Sequence, residues 1–403
     1  MQNSMKNNRH LLTLIAVTIL SMGLTMVSSF ILAHMLSVDD RGAHQLFITT
    51  VSYVVTIATG GSGFALALSM RNKQYWHWRR YFVSFLAAAI IVALIAIALF
   101  DFTDFKFLFV LNVILTAILT ITLEKSKIDP RLKIYRTLTL QQPVLLVAIY
   151  GGGYLLFGEQ PLEQAIQLLT LFSFIQGAAC LFYLYKIEKE FKRKQQNITE
   201  IDRTFFFKTW FKQNLYQIFG ATTSSIDKFL IVAWIGHYYL GLYTVCIAFD
   251  ALLTKFINML TDYYYSGLLN NYNRIKSVLT IIAMMGIGAV IFTPLLAEPI
   301  IKLFFSAKYI EVAPILIWFI LNSIIAGLSW LLSQNMLIQG KQVLLFTRQL
   351  VSIAVFISLF YLLKDQHLYG VACAFIGASL TRLVISIIYY FKYPVTNSKV
   401  EQK

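Results

Sequence analysis

Twelve long apolar stretches, separated by short polar turns, constrain this chain more than any other feature. They fall at about 11–36, 43–69, 80–100, 105–123, 138–157 and 162–185, then at 205–235, 239–262, 277–296, 311–338, 343–363 and 367–391. Each approaches or exceeds the roughly 20 apolar residues that carry a helix across a bilayer. In hydrocarbon the backbone must satisfy its own hydrogen bonds, so such stretches become helices. Only 13% of the 403 residues are charged, against about 25% in a soluble domain. The expected fold is therefore an all-α membrane protein of about 12 transmembrane helices in two six-helix lobes. The first stretch exceeds the apolar core of a secretory signal, about 7–15 residues, and reads as a first span.

Basic residues give these spans an orientation. Lys6 and Arg9 precede the first. Arg71, Lys73, Arg79 and Arg80 mark the second loop; Lys125, Lys127, Arg131, Lys133 and Arg136 mark the fourth. The sixth carries Lys186, Lys189, Lys192, Arg193, Lys194 and Arg203; Arg274 and Lys276 mark the eighth, Lys341 the tenth, and Lys392, Lys399 and Lys403 the tail. Odd-numbered loops are acidic, balanced or uncharged: Asp39 and Asp40 with Arg41, Asp101 and Asp104 with Lys106, and Glu159 and Glu163 with no base. By the positive-inside rule both termini and the even loops are cytoplasmic. Most of the net +15 is then topology rather than a nucleic-acid footprint. The polar stretch in 186–204 divides the chain into an N-terminal lobe (1–190), a linker (191–204) and a C-terminal lobe (205–403), the layout of a transporter built from two repeats.

Little in the sequence resembles enzyme chemistry. There is no Walker A loop and no clustered histidine, and no cofactor or metal is expected. Cys180, Cys246 and Cys373 lie singly within apolar stretches and read as small buried hydrophobes. Gly60, Gly61 and Gly63 (ATGGSGFALAL) sit inside an apolar stretch, which favours close packing or a break in the second helix over a nucleotide loop. Gly151, Gly152 and Gly153 read the same way. Some membrane glycosyltransferases place an acidic pair outside the first helix. Here Asp39 and Asp40 stand at a helix start, where carboxylates meet free N–H groups.

A few charges fall inside spans, where ionisable groups are costly and mark a pathway. Asp227 and Lys228 lie in the seventh span, Asp250 and Lys255 in the eighth. Asp262 follows Lys255 by two turns, and Arg382 lies in the inner half of the twelfth span. Lys208 and Lys212 share a face near the inner end of the seventh. Near the interface these side chains snorkel; deeper, they line a water-filled cavity. Lys255, Lys228, Lys212 and Arg382 are the candidates for binding an anionic substrate such as a pyrophosphate. Asp227, Asp250 and Asp262 either pair with those bases or bind a coupling cation.

Several segments resemble polysaccharide flippases of the Wzx type, within the multidrug/oligosaccharidyl-lipid/polysaccharide (MOP) exporter superfamily. ILAHMLSVDDRGAHQLF (31–47) is similar to that family's LAR-LL-SPEDRG pattern, and SSIDKFLIVAWIG (224–236) to its Asp-containing segment. LGLYTVCIAFD (240–250), KIYRTLTLQQP (133–143) and EPIIKLFFSAKYIEVAPIL (298–316) match in order and spacing. The resemblance implies two six-helix lobes around a V-shaped cavity. It also implies a substrate: an undecaprenyl-pyrophosphate-linked oligosaccharide, flipped to the outer leaflet of the bacterial cytoplasmic (inner) membrane by alternating access for O-antigen or capsule assembly. A polysaccharide polymerase and a chain-length regulator are the implied protein partners. Relatives that flip lipid-linked peptidoglycan precursor carry arginines in the first two helices. Here His34 and Arg41 stand only at the outer end of that region, which moves anion recognition to the second lobe. The rival expectations are a drug/cation antiporter of the same superfamily and a membrane glycosyltransferase or polymerase.

Overall fold

The computed structural model describes residues 2–100, 105–129, 132–194, 197–270, 272–394 and 399–400, with the side chains of 2–16, 100, 194, 399 and 400 left aside. Asp101, Asp104, Arg131 and Lys403, and the side chains of Lys6, Arg9, Lys194 and Lys399, lie outside the described set. The chain folds into α1 (Gln2–Met35), α2 (Val38–Thr59), α3 (Ser62–Arg71), α4 (Trp78–Phe100), α5 (Lys106–Ser126), α6 (Lys133–Phe157) and α7 (Leu162–Lys194). These are followed by α8 (Arg203–Ile235), α9 (His237–Leu269), α10 (Ile275–Phe304), α11 (Ala313–Leu332), the short α12 (Gln334–Ile338), α13 (Gln342–Leu363) and α14 (His367–Lys392).

Ten helical segments are long and apolar enough to cross a membrane, and the bent pair α2 and α3 makes an eleventh. One of the ten, Gln342–Lys392, holds both α13 and α14, joined by the 3₁₀ turn Lys364–Gln366. Arg348 on α13 bonds Ser386 on α14, and Ser352 bonds Ala378, so the two run antiparallel as separate spans. The chain is a multi-pass, all-α membrane protein, with twelve spans among the described residues.

The helices gather into two compact units, Met1–Phe229 and Leu230–Lys403. The division falls inside α8 rather than in the polar stretch before it. In the first unit, α8 is fixed by polar bonds to the broken second span. That span breaks at Gly60 and Gly61 and bends by 41°. Gly61 adopts φ 76°, a conformation that glycine reaches without Cβ strain. Asn214 of α8, itself buried, donates from Nδ2 to the carbonyls of Thr56 (3.0 Å), Gly60 (3.1 Å) and Ile57 (3.3 Å). Tyr53 and Thr222 share a 2.9 Å hydroxyl contact along the same seam. Glu124 of α5 accepts from the Phe64 amide at the start of α3 and from Gln217 of α8. A carboxylate at a helix N-terminus satisfies free N–H groups and faces the favourable end of the dipole.

Elsewhere in this unit, buried Asn112 on α5 bridges to Thr170 and Ser173 on α7 at 2.7 and 2.9 Å. Interhelical bonds of this kind contribute about 0.6 kcal/mol each in a bilayer. The start of α2 carries its cap on Ser37, whose Oγ accepts from the Asp40 amide at 3.1 Å and donates to the Asp40 carboxylate at 2.8 Å. This agrees with reading Asp39 and Asp40 as first-turn residues.

Four sequence expectations need correction. Arg41 is no loop residue: it sits buried in the first turn of α2 and donates to the carbonyl and hydroxyl of Ser29, both at 2.7 Å. Lys125 is not a solvated loop lysine. It ends α5 with 1% exposure, its Nζ 2.5 Å from the Tyr75 hydroxyl and 4.2 Å from the centre of the Trp78 ring. Aromatic faces and a phenol oxygen replace water there. Cys180 and Cys246 are buried, but Cys373 on α14 is exposed. Finally, the ninth span runs on to Phe304 through Pro294 and Pro299. Glu298 and Lys302, which lie beyond the apolar stretch at 277–296, form an i,i+4 pair at 2.6 Å on that helix.

The linker is also held. Gln74–Trp76 (β1) pairs in parallel with Thr199–Glu200 (β2), and the Trp76 indole donates to the Ile198 carbonyl at 2.6 Å. Glu188, near the end of α7, takes Arg79 at 2.7 Å and Lys192 at 2.8 Å.

Candidate functional site

The sequence candidates divide between the two units. In the first, Lys228 pairs with its neighbour Asp227 at 3.2 Å and donates to the Ser224 carbonyl at 2.6 Å. Both side chains are largely enclosed, and pairing removes the cost of an isolated charge in the span. Lys208 and Lys212 on α8 are exposed and make no hydrogen bond or ion pair among the described residues.

In the second unit, Asp250, Lys255 and Asp262 follow one another along α9, and Arg382 stands on α14. Lys255 is exposed and likewise has no partner among the described residues. Asp250 accepts a short hydrogen bond from Ser323 of α11. Arg382 and Asp262 line one cavity of ≈ 490 Å³, enclosed by α9, α11, α13 and α14. Its walls are polar and apolar in about equal parts: Thr254, Asn258, Ser323, Ser329 and Gln349 supply the polar groups, and Ile257, Ala326 and Trp330 the apolar surface.

Arg348, which no sequence pattern singles out, also lines this cavity. It is 5% exposed and lies on α13, six residues from the start of that helix. Its Nη1 donates to the Ser329 carbonyl (3.1 Å), the Ser329 hydroxyl (3.2 Å) and the Ser386 hydroxyl (2.7 Å). Arg382 donates from Nη2 to Ser379 Oγ at 2.8 Å, and Ser379 donates in turn to Asn322 at 2.6 Å. Neither guanidinium has an ion-pair partner among the described residues; Asp250 is the carboxylate whose field reaches Arg382. A guanidinium inside a span is expensive unless paired, so one carbonyl and a few hydroxyls are a thin coordination.

Close packing allows α9 and α11 to approach at this place. A Cβ on Gly327 would collide with the Ile257 side chain. Both residues belong to the cavity wall. Among the described residues, no group of three or more His, Cys, Asp or Glu side chains is placed to hold a metal ion.

No protein-family model and no curated protein sequence matches the chain. Solved structures do share its fold. One described as the lipid II flippase MurJ in an inward closed conformation aligns with a TM-score of 0.70 at 14% identity, over 96% of this chain and 89% of that one. A multidrug resistance MATE family transporter of the MOP superfamily, inward-facing, aligns with a TM-score of 0.60 at 14% identity, over 92% and 93%. A further MATE structure gives 0.50 at 15% identity, over 93% and 94%. At these identities the likeness is one of fold.

Proposed function

We propose that this protein is a MOP-superfamily exporter. In this reading it moves an undecaprenyl-pyrophosphate-linked oligosaccharide repeat unit from the inner to the outer leaflet of the bacterial cytoplasmic membrane, by alternating access between two six-helix lobes, for O-antigen or capsule assembly. A polysaccharide polymerase and chain-length regulator would act on the delivered unit. Support comes from the fold, shared over nearly the whole chain with a lipid II flippase, and from the basic residues inside the spans. Exposed, unpartnered Lys212 and Lys255 are the observation that carries the anionic substrate. An ammonium on a membrane-embedded helix is costly unless water or an anion meets it. Lys255 and Arg382 of the second unit are the proposed contacts to the pyrophosphate; Lys212, in the first unit, is an anion contact in its own right, and Lys228 is already engaged by Asp227.

Deleting the gene should abolish surface polysaccharide and accumulate lipid-linked repeat units on the cytoplasmic leaflet. Lys255→Ala should reduce export at an unchanged protein level. Intact polysaccharide in the deletion strain would sink the transport reading; normal export by Lys255→Ala would sink only the residue assignment.

The fold shared with MATE transporters supports a second reading, a drug/cation antiporter that uses Asp250 and Asp262. Drug efflux lost on deletion, with polysaccharide unchanged, would select it. The helical frame and its transporter neighbours support a carrier over a glycosyltransferase or polymerase, and labelled sugar incorporated by purified protein would reverse that.

A further inference from the structure

The cavity inside the second unit holds two guanidiniums whose hydrogen-bonding capacity is half used. Arg348 commits Nη1 alone; its Nε is enclosed without a partner, and Nη2 has none among the described residues and is not enclosed. Arg382 commits Nη2 alone; Nε is again enclosed and unpartnered, and Nη1 is left open. Both residues line the same cavity, so the open nitrogens are the donors available to whatever enters it. Arginines kept only to tie helices together would direct those donors at carbonyls or carboxylates.

We infer that this cavity is a binding site for a phosphorylated sugar, with Arg348 and Arg382 receiving the phosphoryl group. Charge alone does not select that ligand. The two guanidiniums face Asp262 in the wall and Asp250 behind Ser323, so the formal charges cancel. A small spherical anion would gain little net Coulomb energy there. A phosphoryl group gains more because several acceptor oxygens surround one centre and match two planar forks. Asp250 already accepts from Ser323, and sugar hydroxyls supply donors to Asp262. Asn258, Gln349 and Thr254 can take the remaining hydroxyls, and Trp330 offers an apolar ring face. The volume of ≈ 490 Å³ falls within the range of small-molecule sites, about 300–1,000 Å³.

The place of the cavity along its helices adds to this. It uses the second half of α9, the second half of α11, the first two turns of α13 and the second half of α14. In the orientation set by the basic loops, all four stretches lie on the cytoplasmic side. A sugar phosphate is a cytoplasmic species, whether free or as the headgroup of a lipid. The phosphoryl and sugar chemistry rests on the cavity alone; delivery by a lipid rests on the transport reading.

Calorimetric titration of the purified full chain in phosphate-free detergent tests the site, with glucose 1-phosphate, inorganic phosphate and a polyprenyl-phosphate sugar as probes. Saturable glucose 1-phosphate binding is expected, tighter than that of inorganic phosphate. Arg382→Gln should weaken both at least about tenfold, the effect of losing a charge-assisted hydrogen bond. Arg382 makes one protein hydrogen bond, so this variant is the less disruptive of the two arginine replacements; Arg348→Lys keeps charge and should bind partially. Asp262→Asn should weaken the sugar phosphate while leaving inorganic phosphate equal or tighter. Tighter binding of the polyprenyl form assigns a lipid headgroup, and equal or weaker binding a soluble sugar phosphate; both uphold the site. No saturable binding of any probe, or Arg382→Gln binding like wild type, overturns it. Such a failure beside normal polysaccharide export would leave the transport reading standing, and binding without any export defect on deletion would do the reverse.

Discussion

Replacing Asn214 should uncouple α8 from the broken second span. Its Nδ2 serves three carbonyls, of Thr56, Ile57 and Gly60, at 3.0–3.3 Å, where the break interrupts the helical ladder. Interhelical bonds in a bilayer average about 0.6 kcal/mol and reach about 1.7. The amide nitrogen has two hydrogens to share among the three carbonyls, so two bonds count, roughly 1.2 kcal/mol for Asn214→Ala. Spread over the first unit, that corresponds to a fall in melting temperature of about 2–5 °C. The effect is read from tryptophan fluorescence during thermal unfolding in detergent. Asn214→Asp provides the sharper comparison. A carboxylate accepts and cannot donate, so it would face three carbonyls with no hydrogen between them and should lose at least as much as alanine. If Asn214→Asp melts with the wild type, or Asn214→Ala falls by less than about 1 °C, donation to the break does not hold α8 in place.

Three other outcomes are expected. Tyr75→Phe removes the oxygen beside the Lys125 ammonium and should destabilise by about 1–3 kcal/mol, the cost of an unsatisfied buried group; Lys125→Met removes the charge itself and should cost less, so the reverse order in an unfolding titration would refute the cage. A hydrophobic maleimide should label one of three cysteines in the folded protein, a signal lost in Cys373→Ala, and all three after denaturation; native labelling of Cys180 or Cys246 would contradict their burial. Alkaline phosphatase fused after Phe157 should be active and after Lys194 inactive, and equal activity at both sites would undo the orientation.

Hydropathy made the spans legible because a bilayer leaves the backbone few options. Where a span ends was less clear. Pro294 and Pro299 look like stops at the end of the ninth apolar stretch, yet α10 continues through both, and the charges on either side of Pro299 pair along its surface. The break at Gly60 and Gly61 was visible because three glycines in four positions have few other uses inside an apolar stretch. The bonds from Asn214 that hold it come from a residue more than 150 positions away, which no local pattern encodes.

The candidate site was half visible. Arg382 and Asp262 stand deep enough in their stretches to be noticed. Arg348 lies within two turns of a cytoplasmic helix end, where an arginine is ordinarily a snorkelling one. Only the packing of α11 and α14 over it turns it inward, against Ser329 and Ser386. Lys125 was misread for the same reason in reverse: its position beside Lys127 looks like loop, and its burial depends on aromatic residues contributed by other segments.

The Lys125 cage has a consequence for biogenesis. Tyr75 and Trp78 are already made when α5 leaves the ribosome, but Phe191, whose ring packs 4.8 Å from Tyr75, follows only at the end of α7. When α5 is made, therefore, the lysine can have Tyr75 and Trp78 beside it but not the ring that backs them. Once α7 arrives the cage can close around it. The same residue therefore counts among the basic residues that set the orientation of its loop and among the buried residues of the folded protein. A Lys125 substitution is therefore to be read for orientation as well as for stability.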